Sequence, residues 1–299
     1  MSRTSLIFSI FVIYVGVCLV NYTLILIQRH FSEMKKVDPN SEEDYWDKIK
    51  ANKIQTSVEK NSEGEINTPP QDNYLKVVCI SDTHNQLDLV QNIPDGDVLI
   101  HAGDLTNYGS REELEKLFSD LLRHRHKLIV AGNHDLGFDD SEDVTGRLEQ
   151  YRNKGTPQGY TLLQNVTYLH DKSVEIDGVK FFGSSWHPLF GYPFYVPRPK
   201  LESKWKAIPS DLDVLITHTP PLGYLDLFGD ERWGCRYLLN EIETRVKPRF
   251  HVFGHVHERY GAMSNGVTTF INAAQANRSN VIVNDPIVFY IPKKISAAI

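Results

Sequence analysis

The sequence predicts a layered α/β domain with mixed sheets, preceded by an N-terminal transmembrane helix and a polar linker. Three observations lead to this prediction: an apolar run near the start, a polar stretch after it, and many short β-branched runs beyond residue 74. Helical stretches separate the early runs, whereas the late runs follow one another, which is typical of mixed sheets rather than a simple doubly wound sheet. With 41% hydrophobic and 23% charged residues, the 299-residue chain is neither disordered nor collagen-like.

The first element is the apolar run Leu6–Ile27, which carries no charge. A helix needs about 20 apolar residues to cross a bilayer core, so this run is long enough to span a membrane. A secretory signal peptide and a buried core helix are the alternatives. Arg29, Lys35 and Lys36 outnumber Arg3 on the other side, so the positive-inside rule predicts a single-pass membrane protein with its folded domain in the cytoplasm.

The second element is a polar stretch without a helical or strand period, which predicts a linker. A short amphipathic helix around Trp46 and Ile49, lying on the domain or the membrane, is the less favoured alternative. The chain is therefore divided into an anchor (1–30), a polar linker (31–74) and a folded domain (75–299).

Charge and cysteine content restrict the kinds of site that the chain can carry. The 32 basic and 38 acidic residues give a net charge of −6, which disfavours a nucleic-acid partner. Cys18, Cys79 and Cys235 lie far apart and match neither a thiolate zinc pattern nor a disulfide framework. We therefore expect a reducing environment and a metal site, if any, built from oxygen and imidazole ligands.

The folded domain is predicted to consist of short strands with a few helices between them. Nine apolar runs are predicted to be strands: LKVVCI, DVLIHA, KLIVAG, VTYLH, VKFFG, DVLITH, HVFG, VTTFIN and PIVFYI. The clearest helix is predicted over Arg111–Leu122, because Ser110 and Glu113 have capping-box spacing at its start.

Polar side chains follow five of these strands at the point where each strand ends. They are Asp82 and His84, Asp104, Asn133 and His134, His218, and His255 and His257. In α/β folds the loops at the carboxyl ends of strands converge on one edge of the sheet, where ligand sites collect. We therefore expect these side chains to form one site.

The side-chain types in this set predict a metal centre. Without His134, the set comprises two aspartates, one asparagine and four histidines, which suit manganese, iron or zinc better than calcium or magnesium. One carboxylate often bridges two such ions, which lie roughly 3.5–4 Å apart, and Asp104 is the predicted bridge. Each motif alone also fits a tight turn or an exposed hairpin. Together they predict a dinuclear site whose surplus of positive charge suits a phosphate.

The ordered series D-x-H, G-D, G-N-H-D, H and G-H-x-H resembles the calcineurin-like metallophosphoesterase superfamily over about Leu75–Ile291. The text KVVCISDTHN, GDVLIHAGDLTNYG, KLIVAGNHDLGFD and FFGSSWHP is similar to the metallophosphoesterase-domain-containing proteins, which are related to class III cyclic-nucleotide phosphodiesterases. The resemblance implies a four-layer α/β/β/α sandwich and two divalent ions, with manganese favoured over iron or zinc. It implies one ion held by Asp82, His84, Asp104 and His257, and a second held by Asp104, Asn133, His218 and His255.

The resemblance also implies a division of chemical roles. His134 is expected to be a general acid that protonates the leaving group, while a metal-bridging hydroxide attacks phosphorus. Asn107 stands where many relatives have an aspartate that orients this histidine, which would weaken proton donation. Some relatives have glycine at the position of His255, so its presence here favours an active centre. Protein phosphatases carry a phosphate-gripping arginine that is missing here, which argues against phosphoprotein substrates.

The expected activity is hydrolysis of a small phosphate ester, with phosphodiesters favoured over phosphomonoesters and nucleotides as the favoured substrates. Asn133 and His134 are expected to contact the phosphate. Trp186, in SSWHP, is expected to stack on a nucleobase, and the alternative is a packed core aromatic. A membrane-anchored scaffold that binds a nucleotide and turns over slowly is the alternative function, and a nuclease is disfavoured by the acidic balance.

Overall fold

The computed structural model describes residues 41–67, 73–117 and 123–294. The predicted anchor Leu6–Ile27 and the end of the predicted helix beyond Leu117 lie outside these ranges. Within the described ranges, no helix is both long and apolar enough to cross a bilayer. The chain divides into a short unit, 1–45, and a large unit, 46–299, which contains all of the sheets and the site.

The secondary structure consists of short helices and strands. The helices are α1 (Glu42–Ile49), α2 (Arg111–Leu117), α3 (Arg198–Lys206) and α4 (Arg236–Glu241). The strands are β1 (Thr56–Ser57), β2 (Tyr74–Ile80), β3 (Val98–Ala102), β4 (His126–Val130), β5 (Thr167–Tyr168), β6 (Lys172–Ile176), β7 (Val179–Ser184), β8 (Val214–Thr217), β9 (Leu227–Phe228), β10 (Glu231–Arg232), β11 (Phe250–Phe253), β12 (Gly261–Ser264), β13 (Thr269–Asn272) and β14 (Ile287–Pro292).

The strands form two mixed sheets and a small hairpin, which confirms the predicted sheet type. The five-stranded sheet has the order β14-β2-β3-β4-β5, and the seven-stranded sheet has the order β1-β12-β13-β11-β8-β7-β6. The neighbours from β2 to β5 are parallel, as are β13, β11, β8 and β7, whereas β14, β12, β1 and β6 join antiparallel. Strands β9 and β10 form an antiparallel hairpin. Each of the nine predicted runs overlaps one strand of the two sheets.

The two sheets pack face to face around one apolar core. Val77 and Ile100 of the five-stranded sheet share a buried cluster with Val252 of the seven-stranded sheet. The rings of Phe250 and Phe289, one from each sheet, stack with centroids 3.9 Å apart. Because burial of apolar surface is the main favourable contribution to folding, this shared core fixes the two sheets relative to each other.

The carboxyl ends of the central strands of both sheets meet at one edge of this sandwich. The N–H group of Asp82, just beyond β2, donates to the carbonyl of Gly103, just beyond β3 (2.9 Å). The N–H group of Gly254, just beyond β11, donates to the carbonyl of His218, just beyond β8 (3.3 Å). The predicted metal-binding side chains therefore leave their strands at this common edge.

The structure corrects the prediction of a solvated linker over 31–74. Trp46 is only 3% exposed, and β1 extends the seven-stranded sheet by pairing Thr56 with Ser264. The expectation is wrong at Trp46 and at β1, because the indole of Trp46 is buried beside Gly223 and β1 is paired with β12. The short helix of the alternative interpretation is present as α1.

Candidate metal centre

The five strand ends bring the predicted ligands together at the common edge. Ligand atoms of Asp82, His84 and His257 lie within 4.8 Å of one another, and so do ligand atoms of Asp82, Asp104 and His218. The carboxylate of Asp104 lies 3.7 Å from Nε2 of His84 and 3.4 Å from Nε2 of His218, so it contacts one histidine of each group. This position is the one that a bridging carboxylate needs.

Two histidines are oriented by backbone carbonyl groups. Nδ1 of His218 donates to the carbonyl of Ala102, and Nδ1 of His257 donates to the carbonyl of Asn277, each at 2.9 Å. These bonds leave Nε2 of each ring facing the carboxylates, with Nε2 of His257 lying 3.2 Å from Oδ1 of Asp82. A bond from the second ring nitrogen is the usual support of a metal-binding histidine, so the donor set fits divalent ions.

Glycines beside the carboxylates make this close approach sterically possible. A Cβ atom at Gly132 would lie 2.2 Å from Oδ1 of Asp104, and one at Gly254 would lie 2.0 Å from Oδ2 of Asp82. Asp82 and Asp104 themselves have positive φ angles of 52° and 53°. This left-handed conformation costs roughly 1–2 kcal/mol for such residues, and strain of this kind is often found at functional sites.

Electrostatics couple the aspartates and histidines of the centre. Burial opposes the charged form of His218, but Asp104, Asp82 and the hydrogen bond to Ala102 together outweigh it and raise the pKa of His218 to about 9. Burial likewise opposes the charge on His257, whereas the hydrogen bond to Asp82 raises its pKa to about 9. Burial would raise the pKa values of both aspartates, yet the neighbouring histidines hold them below their usual range. Cations bound here would compete with protons on these imidazoles, so metal affinity would depend on pH.

Asn133 and His255 also lie at the centre, and His255 belongs to neither of the two groups of converging atoms. Oδ1 of Asn133 lies 3.1 Å from Nε2 of His218. The ring of His255 lies 4.9 Å from that of His218, and its backbone N–H donates to the carboxylate of Asp82 at 3.1 Å. Burial holds the pKa of His255 well below its ordinary value, so its ring is neutral and retains a free lone pair. Their roles as ligands stay predictions.

His134 is positioned by two hydrogen bonds, one from its backbone N–H group and one to a backbone carbonyl. Its N–H group donates to Oδ1 of Asp104 at 2.7 Å, and its ring Nδ1 donates to the carbonyl of Asn107 at 3.0 Å. The side chain of Asn107 donates instead to the carbonyl of His84 at 3.0 Å. The backbone of Asn107 therefore orients His134, and the identity of its side chain does not decide this contact.

An open cleft of about 270 Å³ lies over these donors. Its lining comprises His84, Asp104, Asn133, His134, Leu189, Tyr192, Phe228, Trp233, His255, His257, Glu258, Arg278 and Asn280. Tyr192 adjoins His134, with ring centroids 5.7 Å apart, whereas Trp233 adjoins His255 at 5.2 Å. The cleft thus combines a polar centre with aromatic side chains.

Trp186 does not line this cleft, so the expectation that it stacks on a base is wrong. Its side chain is 7% exposed, and its indole N–H donates to Asp171 at 2.8 Å. Nζ of Lys204 lies 3.7 Å from the ring centroid, and the ring of His170 lies 4.6 Å away. Trp186 is therefore the packed aromatic of the alternative interpretation.

The aromatic residues that do line the cleft were missed from the sequence. Phe228 and Trp233 lie in and just after the β9–β10 hairpin, and Tyr192 lies in a loop. None of them follows a predicted strand directly, so the strand-end rule could not find them. The only signal is their clustering with glycine in GYPFY and FGDERWG, which is weak.

Comparison with known proteins agrees with this geometry. The family model for calcineurin-like phosphoesterases matches residues 75–259. The chain is 58% identical to the UPF0046 protein K07C11.7 of Caenorhabditis elegans over 292 residues, covering 96% of this chain and 98% of that protein. It is 43% identical to metallophosphoesterase domain-containing protein 1 of Homo sapiens over 240 residues, covering 75% of this chain and 73% of that protein.

Proposed function

Because the chain belongs to the calcineurin-like phosphoesterase family, together with the metallophosphoesterase-domain-containing proteins, we propose that it is a metal-dependent phosphodiesterase. The proposed substrates are small phosphodiesters with an aromatic group, and nucleotides are the favoured class. The observation that carries this proposal is the convergence of Asp82, His84, Asp104, His218 and His257 beneath an open cleft.

The ligand set supports two divalent ions, and Asp104 is proposed to contact both. Asn133 and His255 would complete the second site beside His218. Divalent ions bound here would supply Lewis acidity and an activated water for attack on phosphorus. Manganese is favoured over magnesium, because imidazole ligands suit the softer metal.

His134 is the proposed general acid. The carbonyl of Asn107 can accept the Nδ1–H of both the neutral and the protonated ring, so Nε2 is the nitrogen left for proton transfer. A proton held at Nε2 would pass to the leaving-group oxygen as its bond to phosphorus breaks. Since the group that orients the His134 ring is a backbone carbonyl, an asparagine side chain at position 107 does not prevent His134 from acting as a general acid.

Phe228, Trp233 and Tyr192 support an aromatic ester group. Phe228 and Trp233 stack at 4.3 Å with an angle of 27° between their planes, and both line the cleft. Flat side chains of this kind bind planar groups without requiring one particular hydrogen-bonding pattern. They take the part that the sequence had suggested for Trp186.

The apolar run Leu6–Ile27 is proposed to anchor the chain to a membrane, with the enzyme on the cytoplasmic side. Its length, its lack of charge and the basic residues that follow it support this proposal.

The test uses the purified chain, stripped of metal with a chelator and reloaded with Mn²⁺ or Mg²⁺. Metal content is measured beside hydrolysis of bis(p-nitrophenyl) phosphate and of p-nitrophenyl phosphate. We expect bound Mn²⁺, more activity with Mn²⁺ than with Mg²⁺, and faster cleavage of the diester. Metal-loaded protein that binds nucleotides but cleaves neither ester would favour the scaffold function instead.

A further inference from the structure

We propose that the N-terminal segment Trp46–Ser57 positions the aromatic wall of the cleft, which is formed by Phe228 and Trp233. It would do so by holding the cleft hairpin, Asp226–Trp233, which contains β9 and β10. The inference rests on the proposed function in one respect, namely that this wall contacts the substrate. The physical link between the N-terminal segment and the cleft hairpin can be tested without turnover.

The first step is the packing of Trp46 against the turn at residues 223 and 224. Gly223 has a φ of +87°, which favours glycine. A Cβ atom there would lie 2.1 Å from the indole ring of Trp46, so any other residue at position 223 would clash with this ring. The side chain of Gln55 donates to the carbonyl of Gly223. The hydroxyl of Tyr224 donates to the carbonyl of Ile54 at 2.9 Å. The N-terminal segment is thus attached to this turn at three points.

The second step connects the turn to the base of the cleft hairpin. The N–H group of Gly223 donates to Oδ2 of Asp226 at 2.9 Å. Oδ1 of Asp226 accepts from Arg232 at 2.7 Å, and the guanidinium of Arg232 lies 4.8 Å from the ring centroid of Trp46. Asp226 is only 1% exposed. Because a buried carboxylate is costly without its partners, this closed set of contacts holds both ends of the cleft hairpin.

The third step leads from the base of the cleft hairpin to the substrate. The N–H group of Trp233 donates to the carbonyl of Asp226 at 2.9 Å. Trp233 stacks on Phe228, and both rings line the cleft. A two-stranded hairpin is at best marginally stable by itself, so the position of these rings depends on the anchoring of its base.

A second attachment limits the expected size of the effect. Nε of Arg259 donates to the carbonyl of Leu227 at 2.9 Å, which ties the cleft hairpin to the turn that begins at His257. Loss of Trp46 should therefore loosen the cleft hairpin rather than detach it, and the metal centre should remain intact.

The experiment measures hydrogen exchange and steady-state kinetics on the full-length, Mn²⁺-loaded protein. In Trp46→Leu, amide exchange in 226–233 should rise roughly 2- to 5-fold, the factor that corresponds to loss of one cation–π contact. KM for bis(p-nitrophenyl) phosphate should rise by a similar factor, with kcat and metal content near wild type. Trp46→Phe should restore part of the protection.

Two further variants control the result. Ile54→Ala, in the same segment, changes a side chain that is 62% exposed and leaves the carbonyl used by Tyr224 in place, so it should behave like wild type. Arg232→Lys keeps a charge for Asp226 but loses the planar contact with Trp46, so it should loosen the same peptides. It also provides the test if Trp46→Leu does not fold.

Each outcome bears on one proposal. Unchanged exchange in 226–233 in a folded Trp46→Leu protein would overturn the inference, whatever happens to KM or in Arg232→Lys. Increased exchange without any change in KM would show that the cleft hairpin does not bind the ester, which also overturns it. Increased exchange in a wild-type background that hydrolyses no phosphodiester would leave the link standing and refute the proposed function.

Discussion

Gly132 offers a sharp test of the metal centre, because replacing it with alanine adds one methyl group at a known place. That Cβ atom would lie 2.2 Å from Oδ1 of Asp104 and 2.5 Å from its backbone nitrogen. Ordinary contact begins at 3.4 Å, so the carboxylate would have to move by about 1.2 Å and the backbone nitrogen by about 0.9 Å. Gly132 is not among the residues with positive φ, so the effect is steric rather than conformational.

A displacement of this size should be costly for the reaction. A misplacement of ~1 Å lowers rates by about 10²-fold, and overpacking costs about 1–3 kcal/mol of stability. We therefore expect Gly132→Ala to remain folded while kcat/KM for bis(p-nitrophenyl) phosphate falls by about 10²-fold and bound metal decreases.

The matched control is Gly146→Ala, since nothing lies within 4 Å of a Cβ atom at that position. It should keep full activity and metal, with stability within about 1 kcal/mol of wild type. The measurements are metal content, melting temperature and kcat/KM on the same preparations. A Gly132→Ala protein with wild-type metal content and activity would show that Asp104 is not held where the reasoning requires it.

Further predictions concern ligands, pH and topology. Asp104→Asn should lose metal and activity together, whereas His134→Ala should keep its metal and lose about 10²- to 10⁴-fold in turnover; equal loss of metal in both would contradict the division between ligand and acid. Burial lowers the pKa of His251 to about 3, whereas the unfolded chain takes up that proton near the ordinary value of 6.5. Stability should therefore fall as the pH drops from about 6.5 towards 3, and His251→Gln should make the melting temperature depend less on pH over that window; an unchanged slope would argue against a neutral His251. If the domain is cytoplasmic, deglycosidase treatment should not change the mass of the full-length protein, whereas a shift that disappears when Asn165 and Asn277 are both changed to Gln would place it in the lumen.

The strands and most of the metal centre could be predicted because the relevant signals are local in sequence. Asp82, Asp104 and His218 each follow an apolar run directly, and a strand that ends there must present them at the sheet edge. Strands β6 and β12 were not predicted, because KSVEI is largely exposed and GAMS begins with a glycine. Burial of a strand is what makes its apolar pattern visible.

The cleft walls could not be predicted, because they depend on how distant loops cross the strand ends. Trp186 follows a strand as the ligands do, yet its indole turns towards Asp171 instead of the cleft. Asn107 shows a second limit, since the group that orients His134 is a backbone carbonyl, and every residue type carries one. The packing of Trp46 against Gly223 joins positions far apart in the chain, and no local sequence pattern reveals it.

The two oxygens of Asp104 serve different parts of the site. Oδ2 faces the histidines of the metal centre, while Oδ1 accepts the backbone N–H of His134 at 2.7 Å. Any change that shifts this carboxylate would therefore also disturb the backbone of His134, the proposed proton donor. If the proposed roles hold, one side chain sets the spacing between the metal ligands and His134, so a change in metal preference should be accompanied by a change in leaving-group preference.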